Sequence, residues 1–362
     1  MTELQATANS AAERSAATVD PFAGVANGHA APTAVAPRLL EVEHLEVSFE
    51  VGHTVVRAVN DVSFGIARGR TLGIIGESGS GKSVTARSIM GLLRAKRVHV
   101  GGSIRFEGAE LIGLSDRKLS EYRGNEIALV PQDPTRSLNP TLQIGKQIVE
   151  AIRLHEPVSR EVAKQRAIEL LGRVRLPSPK QRFFEYPHQL SGGMRQRAVI
   201  AMALSCSPSL LIADEATTAL DVTTQAQIMD LLMDLQVETN MAMLVISHDI
   251  AIAAAYTDEV AVMYAGRIVE HAPTDLLFEK VQMPYTQALL EAVPDIERAP
   301  HEHLRVVPGV PPDPTHPIIG CAFAKRCPLV EDICRSEIPP LIEHEPSHAW
   351  ACFFAGATGA DR

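Results

Sequence analysis

Apolar positions begin to recur near residue 39. Leu45, Val47 and Phe49 alternate with polar neighbours, which predicts a half-buried strand, and residues 55–58 and 62–66 continue as strand-like runs separated by turns. A short unbroken apolar run over 71–75 ends in a Gly-rich segment, the pattern of a buried strand feeding a turn, and residues 84–93 then read as a helix. The section 141–174 has helical spacing. Ala163, Ala167, Leu170, Leu171 and Val174 share one face, with Ser159 as N-cap and Glu161 in the first turn. Buried strands at 210–213 and 243–247 bracket a helix whose Ile228, Leu231, Leu232 and Leu235 form one stripe. Strand, helix and strand in this order predict a parallel sheet covered by helices on both faces. The texture changes near 282–285: residues 294–317 are proline-rich, and residues 320–352 carry four of the five cysteines.

A chain of 362 residues exceeds one average domain, so a large domain with an appendage is expected. The longest apolar runs, around 198–205 and 250–255, fall well short of the roughly 18 residues that span a bilayer. Residues 1–37 are Ala-rich, carry acids early and lack the continuous apolar centre of a secretory signal; a disordered leader is expected there. A cytosolic chain follows, reaching a membrane through a partner. In such a reducing compartment cysteines read as thiols or metal ligands rather than disulfides. The net charge of −9 disfavours a nucleic-acid partner, since a polyphosphate calls for a basic face.

Gly76-Glu77-Ser78-Gly79-Ser80-Gly81-Lys82-Ser83 follows the strand at 71–75 and fits the phosphate-loop pattern. Glycines let successive backbone N–H groups curl around phosphates, and the following helix aims its positive end at them. Lys82 then neutralises phosphate charge and the Ser83 hydroxyl ligates Mg²⁺. The apolar run ending in Asp214-Glu215 supplies the complementary carboxylates: Asp214 for Mg²⁺ and Glu215 to polarise an attacking water.

Leu190-Ser191-Gly192-Gly193-Met194-Arg195-Gln196-Arg197, just before the acidic strand, resembles the signature sequence of ABC ATPases. That resemblance implies an α/β phosphate-loop ATPase with a RecA-like core sheet, an antiparallel β subdomain and a helical subdomain. It also implies that Ser191, Gly192, Gly193 and Gln196 face ATP held by an opposing subunit. Gln132 matches the glutamine that senses Mg²⁺, His248 the switch histidine, and Ala219-Leu220-Asp221 the D-loop of the dimer interface. Phe49 is either the aromatic that stacks on adenine or a core phenylalanine. Fewer than 110 residues separate Lys82 from Ser191, without sustained heptads, and one motif set is present; chromosome- and translation-associated ABC ATPases are disfavoured on both counts.

The tail adds a narrower resemblance. Cys321, Cys327, Cys334 and Cys352 have the spacing C-x5-C-x6-C-x17-C. The segment from Gly320 to Pro328, together with Pro284-Tyr285-Thr286 and Gln132-Asp133-Pro134, is similar to oligopeptide and dipeptide permease ATPases, with nickel importers in the same branch. The implied organisation is a cassette over 38–284 and a Cys-bearing extension over 285–362. The implied partners are a second cassette (a paralogue), two transmembrane permeases and an extracytoplasmic peptide-binding protein, met at the cytoplasmic face of the membrane. Nickel, glutathione or another solute is the alternative cargo. Four thiolates suit a four-iron, four-sulfur cluster or a tetrahedral zinc; the lack of paired C-x2-C knuckles favours the cluster, and reduced thiols packing a small core are the third reading.

Overall fold

The computed structural model describes residues 37–217, 220–292 and 307–356. The expected leader thus lies, but for its last position, outside the described residues, as does Ala219 of the expected D-loop.

Strands β1 (Arg38–Val51) and β2 (Thr54–Ala67) pair antiparallel across a tight turn. The sequence suggested two pieces for β2, but the ladder absorbs the break as bulges. His44 and Asp61 take positive φ angles of 49° and 60°, and His44 Nδ1 bonds Asp61 Oδ1 at 2.7 Å. Strand β3 (Thr71–Ile75), buried at every position, leads into α1 (Lys82–Ile89). This helix ends earlier than the apolar spacing suggested, because Gly91 at φ 60° supplies a left-handed stop. Strands β4 (Val98–Phe106) and β5 (Ala109–Glu110) complete a four-stranded sheet in the order β2-β1-β4-β5.

Helix α2 (Asp116–Tyr122) and strand β6 (Ile127–Val130) precede the helical subdomain. It comprises α3 (Pro134–Ser137), α4 (Ile144–His155), α5 (Arg160–Arg173), α6 (Pro179–Arg182) and α7 (Gly192–Ala203). The expected helical section divides at Pro157, which drives its predecessor out of the α region. Ser159 then caps α5 by accepting from Val162 N, as its sequence position predicts.

Next come β7 (Leu210–Asp214), α8 (Val222–Thr239), β8 (Ala242–Ser247), α9 (Ile250–Tyr256), β9 (Glu259–Tyr264) and β10 (Arg267–Pro273). Strands β9, β3, β8, β7 and β6 lie side by side and parallel. Alternate residues of β7 feed opposite cores: Leu211 and Ala213 join the α8 stripe, while Leu210 and Ile212 join the cluster containing β1 and β2 side chains. Both faces of the sheet are therefore covered, as the strand–helix–strand order requires.

Helices α10 (Thr274–Glu279), α11 (Pro284–Glu291) and α12 (Asp332–Ser336) and strands β11 (Ile342–Glu345) and β12 (His348–Trp350) finish the chain. β12 pairs antiparallel with β10, so the tail extends the central sheet to eight strands. The join is polar and fully buried. Glu270 on β10 receives His348 Nε2 at 2.9 Å and the backbone N–H groups of Gln282 and Met283 at 2.7 and 3.3 Å. Among the described residues no helix is long and apolar enough to cross a membrane.

Candidate active site

Four neighbouring strands, β3, β8, β7 and β6, deliver the chemistry at their carboxyl ends, where open α/β sheets bind ligands. The phosphate loop leaves β3. Gly76 and Gly81 have φ angles of 150° and 108°, and a Cβ added there would stand 2.1 Å from Met263 O and 2.5 Å from Ala58 O. Only glycine fits both positions. Lys82, 4% exposed, donates from Nζ to Gly76 O at 2.7 Å and Glu77 O at 2.9 Å, so it is folded back along the loop. Burial pushes its ammonium below the ordinary lysine range.

Ser83, at the start of α1, donates Oγ to Asp214 Oδ1 at 2.7 Å. Asp214 ends β7, and burial raises its carboxyl above the ordinary range, opposed by the Ser83 bond. Next to it, Glu215 adopts φ 50°, a left-handed turn held by its N–H on Ile246 O at 3.0 Å. That turn aims its carboxylate between β6 and β8. Gln132 Nε2 donates to Glu215 Oε2 at 2.6 Å, and His248 Nδ1 stands 3.5 Å from Oε1. The sequence-predicted residues Lys82, Ser83, Gln132, Asp214, Glu215 and His248 are thus brought together.

The signature residues form a separate group. Ser191 caps α7, accepting from Met194 N at 3.3 Å; Gly192 packs beside Leu220 and Gly193 beside Thr224. Asp221 caps α8 by accepting from Thr224 N and Oγ1, bonds that hold its carboxyl below the usual range. Gln196 does not face outward as expected: it is 1% exposed, turned into the packing of α7, and its Nε2 has no partner among the described residues. Their neighbours lie in α7 and at the start of α8 rather than on the loop. Phe49 sits half-buried on β1 between Val56 and Val98, against the β-subdomain core. It is not among the residues lining the cavity of about 300 Å³ beside Ser78, Gly79 and Ser80.

Sequence reasoning passed over the far wall of that cavity, which is the tail. Pro311, Pro314 and His316 line it, with Arg57 N donating to Pro314 O at 3.0 Å. It also gave no role to Arg326, whose guanidinium makes two bonds to Glu77 of the phosphate loop. The only available signal was an arginine between two cysteines and an acid inside the loop, 249 positions apart.

The four tail cysteines line one small apolar pocket with Phe323 and Leu329. Cys327 and Cys352 Sγ each accept a backbone N–H, from Leu329 and Phe354, at 3.4 Å. Burial raises the Cys321 and Cys327 thiols and pushes Cys352 up to about 11. Among the described residues no group of three or more His, Cys, Asp or Glu side chains is arranged as a site for a metal ion.

The profile of the ABC transporter family matches residues 59–218, and that of the oligopeptide/dipeptide transporter C-terminal region matches residues 269–334. A probable peptide ABC transporter ATP-binding protein of Sinorhizobium fredii is 49% identical over 316 residues, covering 87% of this chain and 94% of that protein. The oligopeptide transport ATP-binding protein OppD of Bacillus subtilis is 47% identical over 312 residues, covering 86% of this chain and 87% of its own. Among solved structures, the dimeric post-hydrolysis ATP-binding cassette MJ0796 with ADP and Pi is similar at TM-score 0.59 and 27% identity, spanning 65% of this chain and 98% of that one. Motif geometry and these similarities agree: the chain belongs to the ABC transporter ATP-binding proteins and is an ATPase of the branch carrying the oligopeptide/dipeptide transporter C-terminal region.

Proposed function

We propose that this chain energises uptake of oligopeptides or dipeptides, as the ATP-hydrolysing subunit of an importer docked at the cytoplasmic face of a membrane. The observation that carries the catalytic half is Glu215, held between Gln132 and His248 beside the Ser83–Asp214 pair. On this reading residues 76–83 bind the nucleotide's phosphates, Lys82 swings from the loop carbonyls onto them, and Phe49 stacks on adenine. Ser83, Asp214 and Gln132 would hold Mg²⁺, and the oxygens of the bonded Ser83–Asp214 pair fit a hard cation. When bound, that ion neutralises charge on the transferred phosphoryl group. Glu215 orients water and takes its proton, and His248 reports the γ-phosphate to β8. Ser191, Gly192 and Gly193 of this chain would in turn close the nucleotide site of a second cassette, a paralogue, whose own signature closes this one, with Asp221 at the interface.

The organisation that goes with this is a leader over 1–37, a cassette over 38–284 and an extension over 285–362. Two permeases and an extracytoplasmic peptide-binding protein complete the importer. Cargo is supported by the names of the relatives at 47–49% identity. The test is uptake of labelled peptides by proteoliposomes carrying the assembled importer. ATP-dependent peptide uptake that Glu215→Gln abolishes is expected; uptake of nickel or glutathione but not peptides would reassign the cargo.

Cys321, Cys327, Cys334 and Cys352 would hold a [4Fe-4S] cluster. The reading is supported by the four cysteines lining one pocket and by the N–H groups on two of the sulfurs, and binding would require the thiols to draw apart around the group. When bound, it would staple a tail segment that has little core of its own. Anaerobically purified protein should contain about four irons and four sulfides per chain. Stoichiometric zinc, or no metal, would reject the cluster.

A further inference from the structure

A phosphate loop that binds a polyanion here carries its own carboxylate. Glu77 is the second residue of the loop, and every polar group on it is engaged. Its N–H donates to Tyr285 Oη at 3.0 Å and its carbonyl accepts Lys82 Nζ at 2.9 Å. Its carboxylate accepts Arg326 Nη1 and Nη2 at 2.7 and 2.8 Å, a two-point clasp. The Arg326 side chain is 4% exposed and that of Glu77 24%. Lys82 touches the backbone of Glu77, whereas the counter-charge to its carboxylate comes from the tail.

Arg326 is itself held in place. Nε donates to Pro308 O at 2.6 Å and Nη1 to Tyr264 Oη at 3.2 Å, and the guanidinium stands 5.7 Å from the ring centroids of Tyr264 and of Phe323. Those rings pack with Tyr285 into a buried aromatic trio with centroids 4.4–5.6 Å apart. The turn that presents Arg326 lies between Cys321 and Cys327, so the cysteine-bearing segment positions this charge.

We propose that Arg326 is a positioning residue of the nucleotide site: it neutralises and anchors Glu77, so that the loop offers phosphates a positive cradle. The inference rests on the assignment of residues 76–83 to the nucleotide and adds the tail to that site. An unpaired carboxylate in the loop repels a nucleotide before any chemistry, so the effect falls on binding rather than on turnover.

The experiment titrates the full-length chain with a fluorescent ATP analogue and measures KM and kcat for ATP. Arg326→Met should weaken binding and raise KM about tenfold or more, equivalent to about 1.4 kcal/mol, with the larger change in KM than in kcat. Adding Glu77→Gln to Arg326→Met removes the unpaired charge and should recover at least about threefold of the affinity and KM lost in Arg326→Met. Arg326→Lys, a point charge without the fork, should fall between them. Melting curves without nucleotide separate misfolding from weak binding, and the double variant keeps the test valid should the single one be unstable. Arg326→Met binding ATP like the parent, or the double variant binding as weakly as Arg326→Met, overturns the proposal. A Lys82→Ala control with parental affinity would overturn the loop assignment itself, and the inference with it.

Discussion

Replacing Glu215 by glutamine separates hydrolysis from everything else the site does. The exchange preserves shape and leaves the left-handed backbone at φ 50° and its N–H bond to Ile246 O untouched. The side-chain oxygen that accepts Gln132 Nε2 at 2.6 Å also survives, so the fold loses no more than about 1 kcal/mol from the weaker neutral acceptor. The variant loses the ability to take a proton from water. A positioned general base contributes about 10²–10⁴ in rate, or roughly 3–5 kcal/mol of barrier. Phosphate release at saturating ATP should therefore fall at least a hundredfold, while affinity for an ATP analogue stays within about threefold. Because the nucleotide persists, ATP should also shift the variant, mixed with its partner cassette, to a cassette dimer on size exclusion. Hydrolysis within about threefold of the parent would remove Glu215 from the role of base.

Other outcomes follow from single residues. Gly76→Ala drives a methyl to 2.1 Å from Met263 O and should abolish ATP binding in titrations, since the backbone of β9 cannot retreat. Asp214→Asn should do two opposite things. The folded state raises the Asp214 pKa through burial, so its charge disfavours folding at pH above both folded and unfolded values, a penalty relieved as pH falls through the raised value. The asparagine variant should thus melt higher than the parent near pH 7, while Mg²⁺-dependent hydrolysis is lost; a lower melting temperature contradicts the burial argument. His348→Ala takes a partner from fully buried Glu270 and should cost about 1–3 kcal/mol in chemical denaturation, loosening the tail from β10.

Much of the central sheet is readable from sequence because its strands are continuous apolar runs: the runs at 71–75, 210–213 and 243–247 correspond to β3, β7 and β8 within one or two residues. Local periodicity is weaker where tertiary pairing decides. β2 reads as two pieces because its break is a bulge, visible only once β1 lies alongside, and α1 stops where Gly91 turns the chain rather than where apolar spacing ends. The cluster of Lys82, Asp214, Glu215 and His248 was legible because its members stand at or just after the ends of three apolar strands, β3, β7 and β8, in a known order. Arg326 and Tyr285 were not, since a salt bridge across 249 positions leaves no local pattern and the residues flanking Glu77 say nothing about its partner.

The central claim is that a nucleotide gripped by the phosphate loop of one cassette is sealed by the signature serine of the other, Ser191 in this chain. Within one chain, Ser191 spends its Oγ on the N-terminus of α7 and belongs to a group of residues apart from the loop. A structure of the Glu215→Gln chain trapped with ATP and Mg²⁺ measures the point directly. With the partner cassette present, the account predicts a dimer in which Ser191 Oγ of this chain lies within hydrogen-bond reach, about 3 Å, of the γ-phosphate on the partner cassette's loop. A trapped complex with that serine far from every γ-phosphate would contradict it.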